Sequence, residues 1–292
     1  MTNSSNNGGR ISCTDSLNSY KNEFYHMNHK YRGKAIIFSH DSFDIDIPPR
    51  AGTRKDCNNL DECLTTLGFD VNIFHNLKYT NIMKQIKQTA EVNHSEHDCL
   101  LVMVLSHGHS GLLYARDTHY RAENLWNPFI DAKCPTLAGK PKLFMFQACQ
   151  GEEYDNGITL QRKIETDGWY EPHKIPSHPD FLLVLSTVPG YFAWRNSDHG
   201  SWFIQALYEE LTYTAEDPID ILTLLTFVCQ KVALNFESNT SEDASNYKKQ
   251  VPCFSSMLTR RLVLTRKPNG KSSKRDSFFD SFNKYFSSFQ FK

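Results

Sequence analysis

The sequence predicts an α/β fold in which a mostly parallel sheet carries helices on both faces. Three observations point there. The runs 99–105 (CLLVMVL), 143–146 (LFMF) and 181–185 (FLLVL) are apolar without a break, as strands buried on both faces of a sheet must be. Between them lie stretches whose apolar residues recur every three or four positions, the helical period. Strand and helix patterns then alternate along the chain, as they do when crossover helices wrap a parallel sheet. With 292 residues, 39% of them hydrophobic, the chain is long enough to bury one large core.

Taken in order, residues 1–20 are rich in Asn, Ser and Gly with little to bury, and read as a short disordered leader. AIIF at 35–38 is the first strand. PPRAGT at 48–53 forms a rigid loop before a helix over 55–67, where Leu60, Leu64 and Leu67 make one stripe and Gly68 ends it. Phe69, Val71 and Ile73 alternate as a strand. Ile82, Met83, Ile86 and Ala90 mark a second helix, with Thr80 as its cap. After the strand at 99–105, a short strand or hairpin is expected at 111–115 and a helix at 123–130. Residues 152–180 are a polar connector, longer than most loops inside a compact domain. Beyond the strand at 181–185, Trp202, Phe203, Ala206, Leu207 and Leu211 give one helix. Pro218, read as a first helical residue, opens another through Ile221, Leu225, Val228 and Val232. Residues 257–264 read as a closing strand. In the tail beyond 267, Phe278, Phe279, Phe282, Tyr285, Phe286 and Phe289 recur at helical spacing. Either these are incidental aromatics in a disordered tail, or the segment docks on a partner or on its own domain.

Composition narrows the function. A net charge of −1 argues against a nucleic-acid or membrane surface as the main partner, and no apolar run approaches the roughly 20 residues that span a bilayer. The cysteines (13, 57, 63, 99, 134, 149, 229, 253) show no CxxC pairing and no signal peptide precedes them, which suggests a reducing, cytoplasmic setting. The HxxH pairs His26/His29 and His94/His97 lack cysteine partners at zinc-finger spacing, so no metal is expected.

Most free cysteines are inert core residues. Cys149 stands apart because of where its strand ends. The run 143–146 breaks into QACQG, and the run 99–105 breaks into SHG. Ligands of open α/β sheets sit at the carboxyl ends of the strands. Two neighbouring strands would therefore deliver a thiol and an imidazole to one edge, the pairing nucleophilic catalysis needs.

QACQG at 147–151 and the SHG before it resemble the caspase family, for which this pentapeptide is a known signature. His107 precedes Cys149 by somewhat less than the roughly 50 residues typical of the family. The likeness runs over about 31–266 and is to a short-leader effector caspase of the insect kind. It implies a three-layer fold with a six-stranded sheet, a large subunit (21–167) and a small subunit (168–266). It also implies a cysteine endopeptidase that cuts proteins after aspartate and executes apoptosis. No cofactor is required, since thiol, imidazole and backbone donors suffice. IETD before Gly168 is a caspase cleavage sequence, so processing is expected at Asp167; Asp15 is a second candidate site. Implied partners are an upstream initiator caspase, inhibitor-of-apoptosis proteins, protein substrates and a second copy, giving a dimer of large–small heterodimers.

The same resemblance assigns residues. Cys149 is the nucleophile, His107 its proton-transfer partner, and the backbone N–H groups of Cys149 and Gly108 hold the oxyanion. The Pro48 carbonyl orients the His107 ring. Arg50 (in RAGT), Arg195 (in WRN) and Gln147 grip the substrate aspartate; two planar guanidinium forks can satisfy both carboxylate oxygens. Phe192 and Trp194 match an apolar second pocket, and Asn196 and Trp202 the fourth-residue pocket, with core packing as the competing reading for these aromatics. Two departures from the family stand out: His109 follows SHG where an acid is usual, and the loop 236–250 carries Asn239, Ser241 and Ser245 where some relatives present aromatic residues, so weaker discrimination at the fourth residue is expected. A catalytically silent scaffold or decoy is the alternative reading, and intact Cys149, His107, Arg50 and Arg195 speak against it. An unrelated α/β amidase would need neither the paired arginines nor IETDG.

Overall fold

The structure is a computed structural model and describes residues 23–151, 153–155 and 179–267. The expected leader with Asp15, the expected processing site Asp167 and the aromatic tail lie outside the described residues.

In chain order the elements are β1 (Lys34–Ser39), α1 (Thr53–Thr66), β2 (Asp70–His75), α2 (Tyr79–Ala90), β3 (Leu100–Leu105), β4 (Gly108–His109), β5 (Leu112–Tyr114), β6 (His119–Arg121), α3 (Glu123–Trp126), β7 (Lys142–Gln147), β8 (Phe181–Leu185), β9 (Arg195–Asn196), β10 (Gly200–Ser201), α4 (Trp202–Thr214), α5 (Ile221–Asn235) and β11 (Cys253–Ser256). Six strands form the central sheet in the order β11-β8-β7-β3-β1-β2. All neighbours are parallel except the edge strand β11, which runs antiparallel to β8.

Every residue of β3 and β7 is buried, and the period of two divides each strand between two cores. Ile37, Leu101, Met103, Leu143 and Met145 face one side and pack with Leu60 of α1, Leu207 of α4 and Leu225 of α5. Phe38, Val102, Val104, Phe144 and Phe146 face the other, with Ile82 and Ile86 of α2 and Trp126 of α3. This is the three-layer α/β arrangement expected from the apolar runs.

Four local expectations are corrected. Residues 257–264 are not a strand, because their backbone groups bond one at a time to different segments. Met257 N donates to Phe181 O, Tyr25 N to Arg261 O, and Ile221 N to Leu262 O. Leu262 and Leu264 still reach the core, which is why the stretch looked strand-like. The expected helix at 123–130 is one α-turn followed by a 3-10 turn, Asn127–Phe129, since Pro128 has no N–H to continue an α ladder. Thr80 does not cap α2; the Asp117 carboxylate accepts from Tyr79 N at 2.8 Å. Pro218 lies ahead of α5, whose cap is Asp220, accepting from the N–H groups of Leu222 and Thr223.

Candidate active site

The carboxyl ends of β1, β3, β7 and β8 meet at one edge of the sheet. Leu105 of β3 sits opposite Gln147 of β7, so His107 and Cys149, each two residues further on, leave the sheet side by side. Backbone bonds stitch the two exits together: Ser106 N to Gln147 O and Ser110 N to Gln150 O, both 3.1 Å. Between them Gly108 packs so tightly that a Cβ there would lie 2.7 Å from Cys149 O and 2.8 Å from Ala148 Cβ.

His107 Nε2 lies 2.8 Å from the Pro48 carbonyl. A carbonyl can only accept, so Nε2 carries the proton and Nδ1 of the neutral ring is left with its lone pair. Burial, and then the charges of Arg50 and Arg195, push this imidazole below its ordinary value, against the opposing contact with Pro48. The ring is thus held neutral in one tautomer. Cys149 is half-buried and its Sγ accepts from the Ala193 N–H at 3.5 Å.

Arg50 is 1% exposed. Its Nη1 donates to His40 O (3.1 Å) and Thr53 Oγ1 (3.2 Å), whereas Nε and Nη2 have no partner among the described residues. Gln147, also 1% exposed, has no partner for Oε1 among the described residues. A buried polar group without a partner costs about 1–3 kcal/mol, more when charged, so the two free guanidinium donors of Arg50 favour an acceptor here. Arg195 is the nearby second cation: burial first, then its charge, disfavour the protonated form of Arg50. The two arginines meet because Gly52, at φ 84°, lets the loop carrying Arg50 press against the β9–β10 hairpin. A Cβ at Gly52 would fall 2.5 Å from Asn196 O.

The aromatics form a continuous stack. Phe192 packs on Tyr154 (4.7 Å between centroids), Tyr154 on Trp194 (5.7 Å), Trp194 on Trp202 (5.7 Å) and Trp202 on Phe236 (5.4 Å). Trp202 is almost wholly buried within the core on the α4 side. Asn196 sits at the hairpin, where its Oδ1 accepts from Asp198 N and His199 N.

Several supporting residues escaped the sequence reading. Asp56 is fully buried and accepts from Ser201 N (2.8 Å) and Ser201 Oγ (2.6 Å). It thereby fixes the hairpin that carries Arg195, since Ser201 pairs with Arg195 across β9–β10. Ser186 Oγ donates to Ala148 O and accepts from Ala148 N, clamping the backbone just before Cys149. Gln250 accepts from Trp194 N and donates to Ser186 O. No local signal marks these residues, because each acts on a partner distant in sequence. Tyr154 is one of three aromatics in the connector, with Trp169 and Tyr170, so nothing in the sequence singled it out.

Among the described residues no group of three or more His, Cys, Asp or Glu is placed to hold a metal. His94 and His97 instead contact each other through their Nδ1 atoms at 2.9 Å. Also among the described residues, no helix is long and apolar enough to cross a membrane.

Comparison with known proteins agrees with this geometry. The family model described as Caspase domain matches residues 32–263. Caspase-1 of Spodoptera frugiperda is 60% identical over 247 residues, covering 84% of this chain and 82% of that protein. Caspase drICE of Drosophila melanogaster is 49% identical over 247 residues, 83% of this chain and 73% of that protein. The crystal structure of the Spodoptera frugiperda caspase-1 superimposes with a TM-score of 0.77 at 58% identity, covering 84% of this chain and 96% of that one.

Proposed function

This chain belongs to the caspase family and is a cysteine-type endopeptidase with aspartate specificity, and we propose that it is an effector member, executing apoptosis once an upstream initiator caspase has cut it at Asp167. In this reading residues 1–20 are a leader with a removal site at Asp15. Residues 21–167 form the large subunit and 168–266 the small one, and two such heterodimers associate in the cytoplasm. Inhibitor-of-apoptosis proteins are its regulators.

The chemistry follows from the groups at the sheet edge. The neutral Nδ1 of His107 takes the proton of Cys149, generating the attacking thiolate. Sulfur adds to the substrate carbonyl and the new oxyanion accepts hydrogen bonds from the N–H groups of Cys149 and Gly108. The imidazolium returns the proton to the departing amine, and water then hydrolyses the thioester. Pro48 holds the ring throughout. Arg50, Arg195 and Gln147 receive the aspartate side chain, Phe192 and Trp194 the second substrate residue, and Asn196 and Trp202 the fourth.

The observation that carries this assignment is the orphaned pair of donors, Nε and Nη2, on buried Arg50. An incoming carboxylate supplies the two acceptors that Arg50 lacks. An asparagine side chain offers only one acceptor and no charge, so rejection by several powers of ten is expected. Glutamate carries the charge on a longer arm and is excluded by size. The test is hydrolysis of fluorogenic peptides ending in Asp, Asn or Glu. Cleavage of the Asp peptide alone, abolished in Cys149→Ala, is the expected result. Silence of the fully processed protein would mean a scaffold instead.

A further inference from the structure

On the outer face of the molecule, away from Cys149, α4 and α5 enclose a groove of about 490 Å³ lined by Glu210, Tyr213, Phe227, Lys231 and Leu234. Tyr213 is 59%, Phe227 43% and Leu234 69% exposed. These are three of the seven large apolar side chains exposed among the described residues, and they share one groove. Such clustering marks a surface that is normally covered.

We propose that the aromatic segment 278–289 of this same chain occupies the groove. The first support is where the chain leaves the described fold. Lys267 packs against Gly68, just past the end of α1, and its ammonium donates to Asp98 Oδ2 and to the carbonyls of Met27 and His29. Helices α1 and α4 lie side by side and run the same way, for Asp56 meets Ser201 and Glu62 meets Tyr208. The last turn of α4, with Tyr213, therefore stands at the end of the molecule from which the tail departs. Residues 268–277 can span up to roughly 35 Å when extended, ample for the crossing.

The second support is chemical fit. Phe278, Phe282, Tyr285, Phe286 and Phe289 fall on one side of a helical projection, the pattern of a segment that lays one apolar face in a groove. The tail carries Lys271, Lys274, Arg275, Lys284 and Lys292 against Asp276 and Asp280. Of the acids along 202–217, Glu209 and Glu210 are already paired with Lys231 of the groove, both at 2.7 Å, and Asp217 accepts from the Tyr213 hydroxyl at the groove's end. An aromatic face on an exposed apolar groove satisfies both surfaces, and the acid at its end suits a tail of net positive charge.

The test uses the full chain. Hydrogen exchange read by mass spectrometry is compared with a variant carrying Phe278→Ser, Phe282→Ser and Phe286→Ser. Peptides covering 209–217 and 226–235 should exchange roughly threefold or more faster in the variant while β3 and β7 stay unchanged. Reciprocally, Phe227→Asp should speed exchange across 278–289. A photo-reactive phenylalanine at position 234 should cross-link to 278–289 within one chain. Unchanged exchange at the groove overturns the proposal, as does protection that disappears on dilution, which would place a second copy there.

Discussion

Replacing Gly108 with alanine tests the geometry of the catalytic edge with a single methyl group. The added Cβ would stand 2.7 Å from Cys149 O, 2.8 Å from Ala148 Cβ and 3.0 Å from Leu112 O. Carbon contacts are comfortable at about 3.5–4.0 Å, so the strand exits must part by about 1 Å. They resist it: the bonds from Ser106 to Gln147 and from Ser110 to Gln150 flank the contact, and Ser186 holds Ala148 from behind. Overpacking of this kind costs about 1–3 kcal/mol, a fall in Tm of about 2–12 °C for a domain this size. The larger effect is on chemistry. Moving an oxyanion donor by about 1 Å lowers the rate about 100-fold. Arg50 and Arg195 are untouched, so KM for an Asp peptide should stay within about threefold. Steady-state kinetics and a thermal melt on the same sample separate the two effects. A variant with wild-type kcat and Tm would show that the exits are not packed as described. A rise in KM at constant kcat would move Gly108 from transition-state stabilisation to substrate binding.

Four further outcomes follow. Arg50→Met should lower kcat/KM on Asp peptides by about 1,000-fold or more yet melt no lower than the parent, because it removes a buried cation with unpaired donors; a large loss of Tm would mean that Nε and Nη2 of Arg50 are also paired in the free protein. The acid limb of kcat/KM should lie below 6.5, since His107 must be neutral to accept the thiol proton and burial lowers its value; a limb at or above 6.5 contradicts this. His40, fully buried, is pushed from 6.5 down to about 4, so its contribution of roughly 3 kcal/mol is intact above 6.5 and drains away as pH falls towards 4; denaturant titrations should lose stability over that window, and His40→Gln should flatten the slope. Asp98 is fully buried and meets Arg32, His29 and Lys267. Asp98→Ala strands Arg32 in the interior and should cost about 3–5 kcal/mol, seen as a melt lowered by about 6–20 °C; a smaller shift than about 2 °C would show that water replaces the carboxylate.

The parts legible in advance were those whose signal is local. A parallel strand buried on both faces must be apolar at every position, so β3 and β7 announced themselves, and with them the three layers. Equal exits from two strands in register placed His107 and Cys149 side by side, which no cysteine or histidine shows alone. The stretch 257–264 was misread because burial of alternate residues is a strand's pattern but not its proof. Leu262 and Leu264 are buried, yet the backbone around them bonds to different segments.

What the chain determined by itself is its layering and the chemistry of its reactive groups: apolar periodicity, a thiol, an imidazole and guanidinium groups are properties of residues and their neighbours. What only the tertiary structure decided is how those groups are held. Asp56 reaches Ser201, Lys267 reaches Asp98, and the loop at Gly52 meets the hairpin at Asn196, all across long stretches of chain. Such pairings depend on closing those loops in space. Short-range pattern carries no trace of them, because a hydrogen bond between distant residues leaves no periodicity behind.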